Sequence, residues 1–181
     1  MSITKHCIKN KKIDFFKLEN YESLKSINNC HLSESTFNSS KMDNIQVSNS
    51  HLASSNLEKC NIKKAHFLNT NLEMSSFAWS NLKSNKFDKD NLSRVNFQFV
   101  DLSHSKLIDC KATETDFRWS RLNHTTFINC DLKGANFSNS DLRNVTFENC
   151  DLKSAIFNIN TRLPFTKEHA KKLGMNFNGI N

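Results

Sequence analysis

The 181-residue chain holds only three glycines and one proline, and it has no apolar run near the roughly 18 residues that a membrane-crossing helix needs. So little Gly and Pro argues against a loop-rich sandwich and against a disordered chain. The basic stretch from Met1 to Lys12 is not followed by an apolar segment, so no secretory signal is read there and a cytoplasmic protein is expected. None of the six cysteines forms a Cys-x-x-Cys pair, which removes the commonest zinc signature. No Gly-rich phosphate loop, nucleophile–base pair or paired-carboxylate motif is present, so neither an enzyme nor a cofactor is expected. Charge of one sign is also missing from the body of the chain. The net +7 arises at the ends: residues 1–26 carry six Lys against three acids and residues 158–181 four basic groups against one acid, whereas fifteen basic and fourteen acidic groups lie between them. With no dense basic stripe, direct nucleic-acid binding is not expected.

What the chain does have is a period. Every fifth residue from Ile27 to Phe157 is large and apolar, with the single exception of Ala112. Two residues earlier runs a second series of small residues, exemplified by Ser75, Ser80, Cys130, Ala135 and Ser140, from which Lys25, Ile45, Asn85 and Asp90 depart. Residues two apart in an extended segment share a side, so each unit sends one small and one large side chain inward. Five is odd, so the chain must turn once per unit to keep that pattern; Asn, Asp, Ser and Lys crowd the remaining positions, as turns and solvent require. A five-residue period cannot hold one face of an α-helix.

The number of sides comes from longer steps. Leu and Phe alternate over most of the chain from Phe67 onward, Cys110, Cys130 and Cys150 are spaced by twenty, and so are the outward-facing Trp79, Phe99 and Trp119. Twenty residues per coil means four sides, and 27 units give nearly seven coils, a rod roughly 32 Å long at strand spacing.

Runs such as Cys130-Asp131-Leu132-Lys133-Gly134 and Ala135-Asn136-Phe137-Ser138-Asn139 resemble the pentapeptide-repeat signature. That resemblance implies an all-β fold, a right-handed quadrilateral β-helix, over residues 27–160. Residues 1–26 are expected to form an irregular coil capping the first open end. After Pro164, Thr166 can cap a short helix from Lys167 to Leu173 with Gly174 just past its end, so residues 161–181 read as a helix and tail. The segment Lys172-Leu173-Gly174-Met175-Asn176-Phe177 is similar to the tail of the Qnr-type and microcin-immunity proteins. That likeness implies a homodimer formed through Phe165, Leu173, Met175, Phe177 and Ile180. It also implies a non-enzymatic role: protecting DNA gyrase or topoisomerase IV from a quinolone or a peptide toxin. The chain departs from those proteins in being basic overall and in having no inserted loop between residues 27 and 157. A generic scaffold or effector with another protein partner is the alternative reading.

Within that frame the cysteines at 30, 60, 110, 130 and 150 occupy the small inward position and read as free, space-filling thiols. His104 and His124 stack one coil apart without a third ligand, so no metal site is assigned. The column Trp79, Phe99 and Trp119 has no explanation in the repeat. It is either a partner-binding ridge or a surface that the N-terminal segment covers. Leu68, Ile108 and Ile128 form a second, broken outward apolar column.

Overall fold

The computed structural model describes residues 7–179. Strands β1 (Cys7–Lys9), β2 (Ser26–Asn28), β3 (Gln46–Ser48), β4 (His66–Leu68), β5 (Lys86–Asp88), β6 (Lys106–Ile108), β7 (Thr126–Ile128) and β8 (Thr146–Glu148) stack in chain order as one parallel sheet. From β2 onward each pairs with the next at a step of twenty residues, as in Phe67 opposite Phe87. The other three sides of the coil are too short for continuous ladders and are stitched by single bridges at the same step, such as His31 to His51, Thr36 to Asn56 and Lys41 to Asn61. The result is the expected four-sided β-solenoid.

Every large position from Ile27 to Phe157 is buried except Phe147, near the C-terminal end of the rod. A twenty-residue step places like side chains over one another. Phe77, Phe97, Phe117 and Phe137 therefore form a stack with centroids 5.3, 5.4 and 5.1 Å apart, and Phe87 and Phe127 meet it edge-on. These are the offset-stacked and T-shaped geometries that ring quadrupoles favour.

The corners are made by one residue per unit, two positions after the large one, which adopts a positive φ. At several corners the turn closes with a hydrogen bond such as Ser75 N–H to the Leu72 carbonyl (3.0 Å). A turn with φ > 0 at its third residue favours Gly or Asn. Asn fills this position at Asn29, Asn44, Asn49, Asn69, Asn129, Asn139, Asn144 and Asn149, and Gly134 fills it once.

The two ends are more regular than the sequence pattern suggests. Residues 7–25 form a full coil whose step to the next is nineteen residues: Ile8 pairs with Ile27, Lys17 with Thr36 and Glu22 with Lys41. The missing residue lies between Glu22 and Ser26, where Ser23 takes a φ of +80° and Leu24, out of register, turns fully inward to fill the core. At the other end one residue is inserted, so that Arg162 pairs with Asp141. Helix α1 (Lys167–Lys172) then stands where the next strand over β8 would fall. The Thr166 hydroxyl accepts the His169 N–H at its start, and Gly174 follows its end at φ +78°. Phe165 packs on Phe147 with ring centroids 6.2 Å apart, and Ala170 is fully buried. The chain returns to register as β10 (Asn176–Phe177), paired with β9 (Ile156–Phe157) at the twenty-residue step. The tail is thus the last turn of the rod.

Candidate functional site

Most inward polar positions answer backbone needs, the Ser75 hydroxyl being buried without a hydrogen-bond partner among the described residues. Ser80 Oγ accepts the Cys60 N–H (2.8 Å) and donates to the Leu57 carbonyl (2.8 Å), tying its coil to the one before by two bonds. The two departures Asn85 and Asp90 do similar work: Asn85 Oδ1 accepts the Ala65 N–H (2.8 Å), while Asp90 accepts the Thr70 N–H (2.7 Å) and the Asp88 N–H (3.0 Å). Burial pushes the Asp90 carboxyl up to about 7 in spite of those bonds.

The cysteines are all free of disulfides. Burial raises the Cys60 thiol to about 11, and a hydrogen bond with the Cys110 thiol, together with burial, raises Cys130 to about 12. Thiols held neutral in this way are poor nucleophiles and poor metal ligands. His104 and His124 stack with centroids 4.9 Å apart, and so do His31 and His51, a pair the sequence reading did not single out although the same twenty-residue step would have found it. Among the described residues no three His, Cys, Asp or Glu gather as a metal site would require.

The surface feature that stands out is the aromatic column. Trp79, Phe99 and Trp119 occupy corner positions with φ of +64°, +58° and +61°, a backbone region unfavourable for bulky side chains. They remain 60%, 39% and 53% exposed. Their rings lie parallel within 7°, with centroids 4.0 Å apart for Trp79 and Phe99 and 6.1 Å for Phe99 and Trp119. The described part of the N-terminal segment does not cover them, since residues 7–25 form the first coil of the rod. Lys59 and Asn139 end the column on either side. Three strained, exposed aromatics in successive coils add conformational cost and leave apolar surface in water.

A groove runs beside this ridge. Its first part, about 360 Å³, lies between the three aromatics and the row Asn81, Asp101 and Arg121. It continues past Trp119 to Asp141, Asn160 and Arg162. On that row Asp101 is paired with Lys83 (3.3 Å), and Asp141 is held by Arg143 (2.8 Å) and approached by Arg162 (3.6 Å). The Arg143 guanidinium holds the Asp141 carboxyl below its ordinary range. Arg121 is exposed and has no carboxylate partner among the described residues.

The residues expected to mediate self-association sit differently from one another. Met175 is buried in its own rod and so is not available to a second copy; Phe165 and Leu173 are partly buried against the last coil. Phe177 packs one face on Phe157 (5.4 Å) and stays 45% exposed. Ile180 lies outside the described residues. In the second apolar column Ile108 pairs with Ile128, and Asp88 separates them from Leu68.

A family profile described as the pentapeptide repeat region matches residues 85–157. The matched stretch lies within the register that runs unbroken from Ile27 to Phe157, so the pentapeptide repeat it carries continues before the match as far as Ile27 in the sequence pattern and ends with it at Phe157. No curated protein sequence matches it significantly. Among solved structures it is similar to QnrB1, a plasmid-mediated fluoroquinolone resistance protein, at 11% identity over 95% of this chain and 89% of that one, with a TM-score of 0.43. It is similar to the pentapeptide repeat protein Rfr23 from the cyanobacterium Cyanothece 51142 at 12% identity over 88% and 92%, with a TM-score of 0.45. It is also similar to HetL from Nostoc sp. strain PCC 7120, a pentapeptide repeat protein involved in heterocyst differentiation regulation, at 15% identity over 92% and 85%, with a TM-score of 0.35. Among the described residues no helix is long and apolar enough to cross a membrane.

Proposed function

We propose that this rod acts without chemistry of its own, by docking on a protein partner, and that the partner is a type II DNA topoisomerase, gyrase or topoisomerase IV, shielded from a quinolone or peptide poison. The observation that carries the docking role is the ridge Trp79, Phe99 and Trp119. Aromatics are anchors with large contact area and little side-chain entropy to lose, and they dominate many interfaces. Here they are kept at backbone positions where Asn or Gly would be less strained. The choice of a topoisomerase is supported by the likeness of the tail from Lys172 to Phe177 to the Qnr-type and microcin-immunity proteins. The rod would approach the DNA-binding surface of the enzyme and displace the poison or the complex it stabilises. Two copies would associate through the exposed part of Phe177, beside the Lys167 ammonium that lies 5.2 Å from its ring centroid, and the outer edge of β10.

One observation favours a second reading. The body between residues 27 and 157 is electrically balanced, fifteen basic against fourteen acidic groups, where an imitation of DNA would be acidic. A scaffold or effector role with another protein partner fits that balance.

The test is a gyrase supercoiling and cleavage-complex assay with a panel of poisons, comparing the wild-type rod with a variant in which all three ridge residues are Ser. Rescue by the wild type and none by a folded variant is the expected result. Absence of rescue across the panel removes the topoisomerase, and equal rescue by both removes the ridge.

A further inference from the structure

The docking surface described above also constrains the shape and charge of what it accepts. Along the side of the rod every coil spends its backbone on its neighbours: the N–H groups of Asp101, Arg121 and Asp141 donate to the carbonyls of Ser80 (3.1 Å), Val100 (2.9 Å) and Ser120 (3.1 Å). The groove floor therefore offers no free ladder to an incoming strand, and an extended segment laid there would leave its own amides unpaired. A helix satisfies its backbone internally. The ring faces of the ridge are largely spent on one another, at 4.0 and 6.1 Å, so the ridge presents ring edges to an occupant rather than open platforms for stacking nucleobases.

The charges complete the description. On the far wall each acid already has a cation from its own chain, Lys83 for Asp101 and Arg143 for Asp141. Arg121 is left without a carboxylate among the described residues, and Arg162 only shares Asp141 at 3.6 Å. Arg121 and Arg162 are two coils apart, about 10 Å at strand spacing. Residues i and i+7 of an α-helix are separated by about 10.5 Å. Trp79 and Trp119, also two coils apart, set the same interval on the apolar wall.

We propose that the groove beside the ridge binds an amphipathic α-helix of the partner protein, lying along the rod axis, with its apolar stripe on Trp79, Phe99 and Trp119 and acidic residues seven apart facing Arg121 and Arg162. The inference rests on the ridge being the working surface.

Trp79 and Trp119 are the only two tryptophans of the chain, so its tryptophan emission, excited selectively over that of Tyr21, reports on this groove alone. The experiment titrates the full-length rod with a designed helical 14-mer bearing a Leu stripe and two Glu seven residues apart, and with the same peptide carrying Lys in place of Glu. The Glu peptide is expected to blue-shift the emission and to bind about tenfold more tightly than the Lys peptide, with the preference reversed in Arg121→Glu. Arg121 is exposed, and circular dichroism confirms that the variant folds. Equal binding of the two peptides, or of neither, overturns the proposal. So does a shift produced by oligo-dT in place of the peptide, which would make the ridge a nucleic-acid site. A blue shift that grows with protein concentration and no peptide would assign the groove to a second copy, and overturns it too. Peptide discrimination by a ridge that proves dispensable in the topoisomerase assay removes the earlier reading and leaves this one standing. A ridge needed for protection that ignores peptide charge does the reverse.

Discussion

Asp90 offers a quantitative check on the inward register, because it places a carboxyl where the repeat asks for a small residue. In the folded rod its pKa is about 7, raised first by burial; an unfolded aspartate sits near 3.8. The difference is about 3 pH units, worth up to about 4 kcal/mol at 1.36 kcal/mol per unit. The sign follows from proton binding. Between the two values the folded chain holds a proton that the unfolded chain has released. The stability contributed by this group is therefore complete below pH ~4 and is lost as the pH rises through ~7. Asp90→Asn removes the titration. Its amide oxygen can still accept the Thr70 N–H, while the bond from the Asp88 N–H is lost. Urea unfolding of both proteins at half-unit steps from pH 5 to pH 8 is the assay. The wild type is expected to lose about 3 kcal/mol relative to Asp90→Asn across that range and then to level off. In thermal scans this corresponds to roughly 6–12 °C. A difference that is flat with pH, or a wild type that gains stability relative to Asp90→Asn as the pH rises, would refute the burial argument.

Other expectations follow from the same geometry. Phe137→Ala removes a fully buried ring from the Phe stack and should cost about 3–5 kcal/mol, whereas Asp141→Ala, on the surface, should cost about 1 kcal/mol or less; equal thermal midpoints would contradict the inward assignment. Replacing Cys110, Cys130 and Cys150 together by Ala should leave the fold intact, and Cys60 and Cys130 should resist a thiol reagent at pH 8 until the rod is unfolded, because their thiols are held neutral. Phe177→Ser should turn a dimer into a monomer by light scattering at micromolar concentration, while Met175→Ser, which strikes the rod's own core, should lower stability instead; a full-length protein already monomeric would remove the tail from self-association. Replacing the ridge residues by Asn should change stability little, since relief of the left-handed strain offsets the lost ring stacking, and a large fall in melting temperature would recast the ridge as packing.

Much of the molecule was legible before any coordinate. The large residues from Ile27 to Phe157 and the small ones two before them imply a turn in every unit. The twenty-residue spacing of the cysteines and aromatics implies four sides. These are local and periodic properties, and a solenoid has no other long-range design, so each coil needs only its neighbours. The helix after Pro164 was equally plain, because Thr166 and Gly174 act within one turn of it. The first coil was not: one deleted residue between Glu22 and Ser26 shifts Leu24 out of register, and periodicity cannot tell a shifted coil from an irregular cap. Nor was the tail's return to register at β10, since only packing against Ile156 and Phe157 brings Asn176 and Phe177 there. The sequence placed Trp79, Phe99 and Trp119 on one outward column. Their left-handed backbone, the groove beside them, the unpaired Arg121 and the proton retained by Asp90 depend on which groups twenty residues apart meet and how far water is excluded between them. Only the stacked tertiary structure decides that.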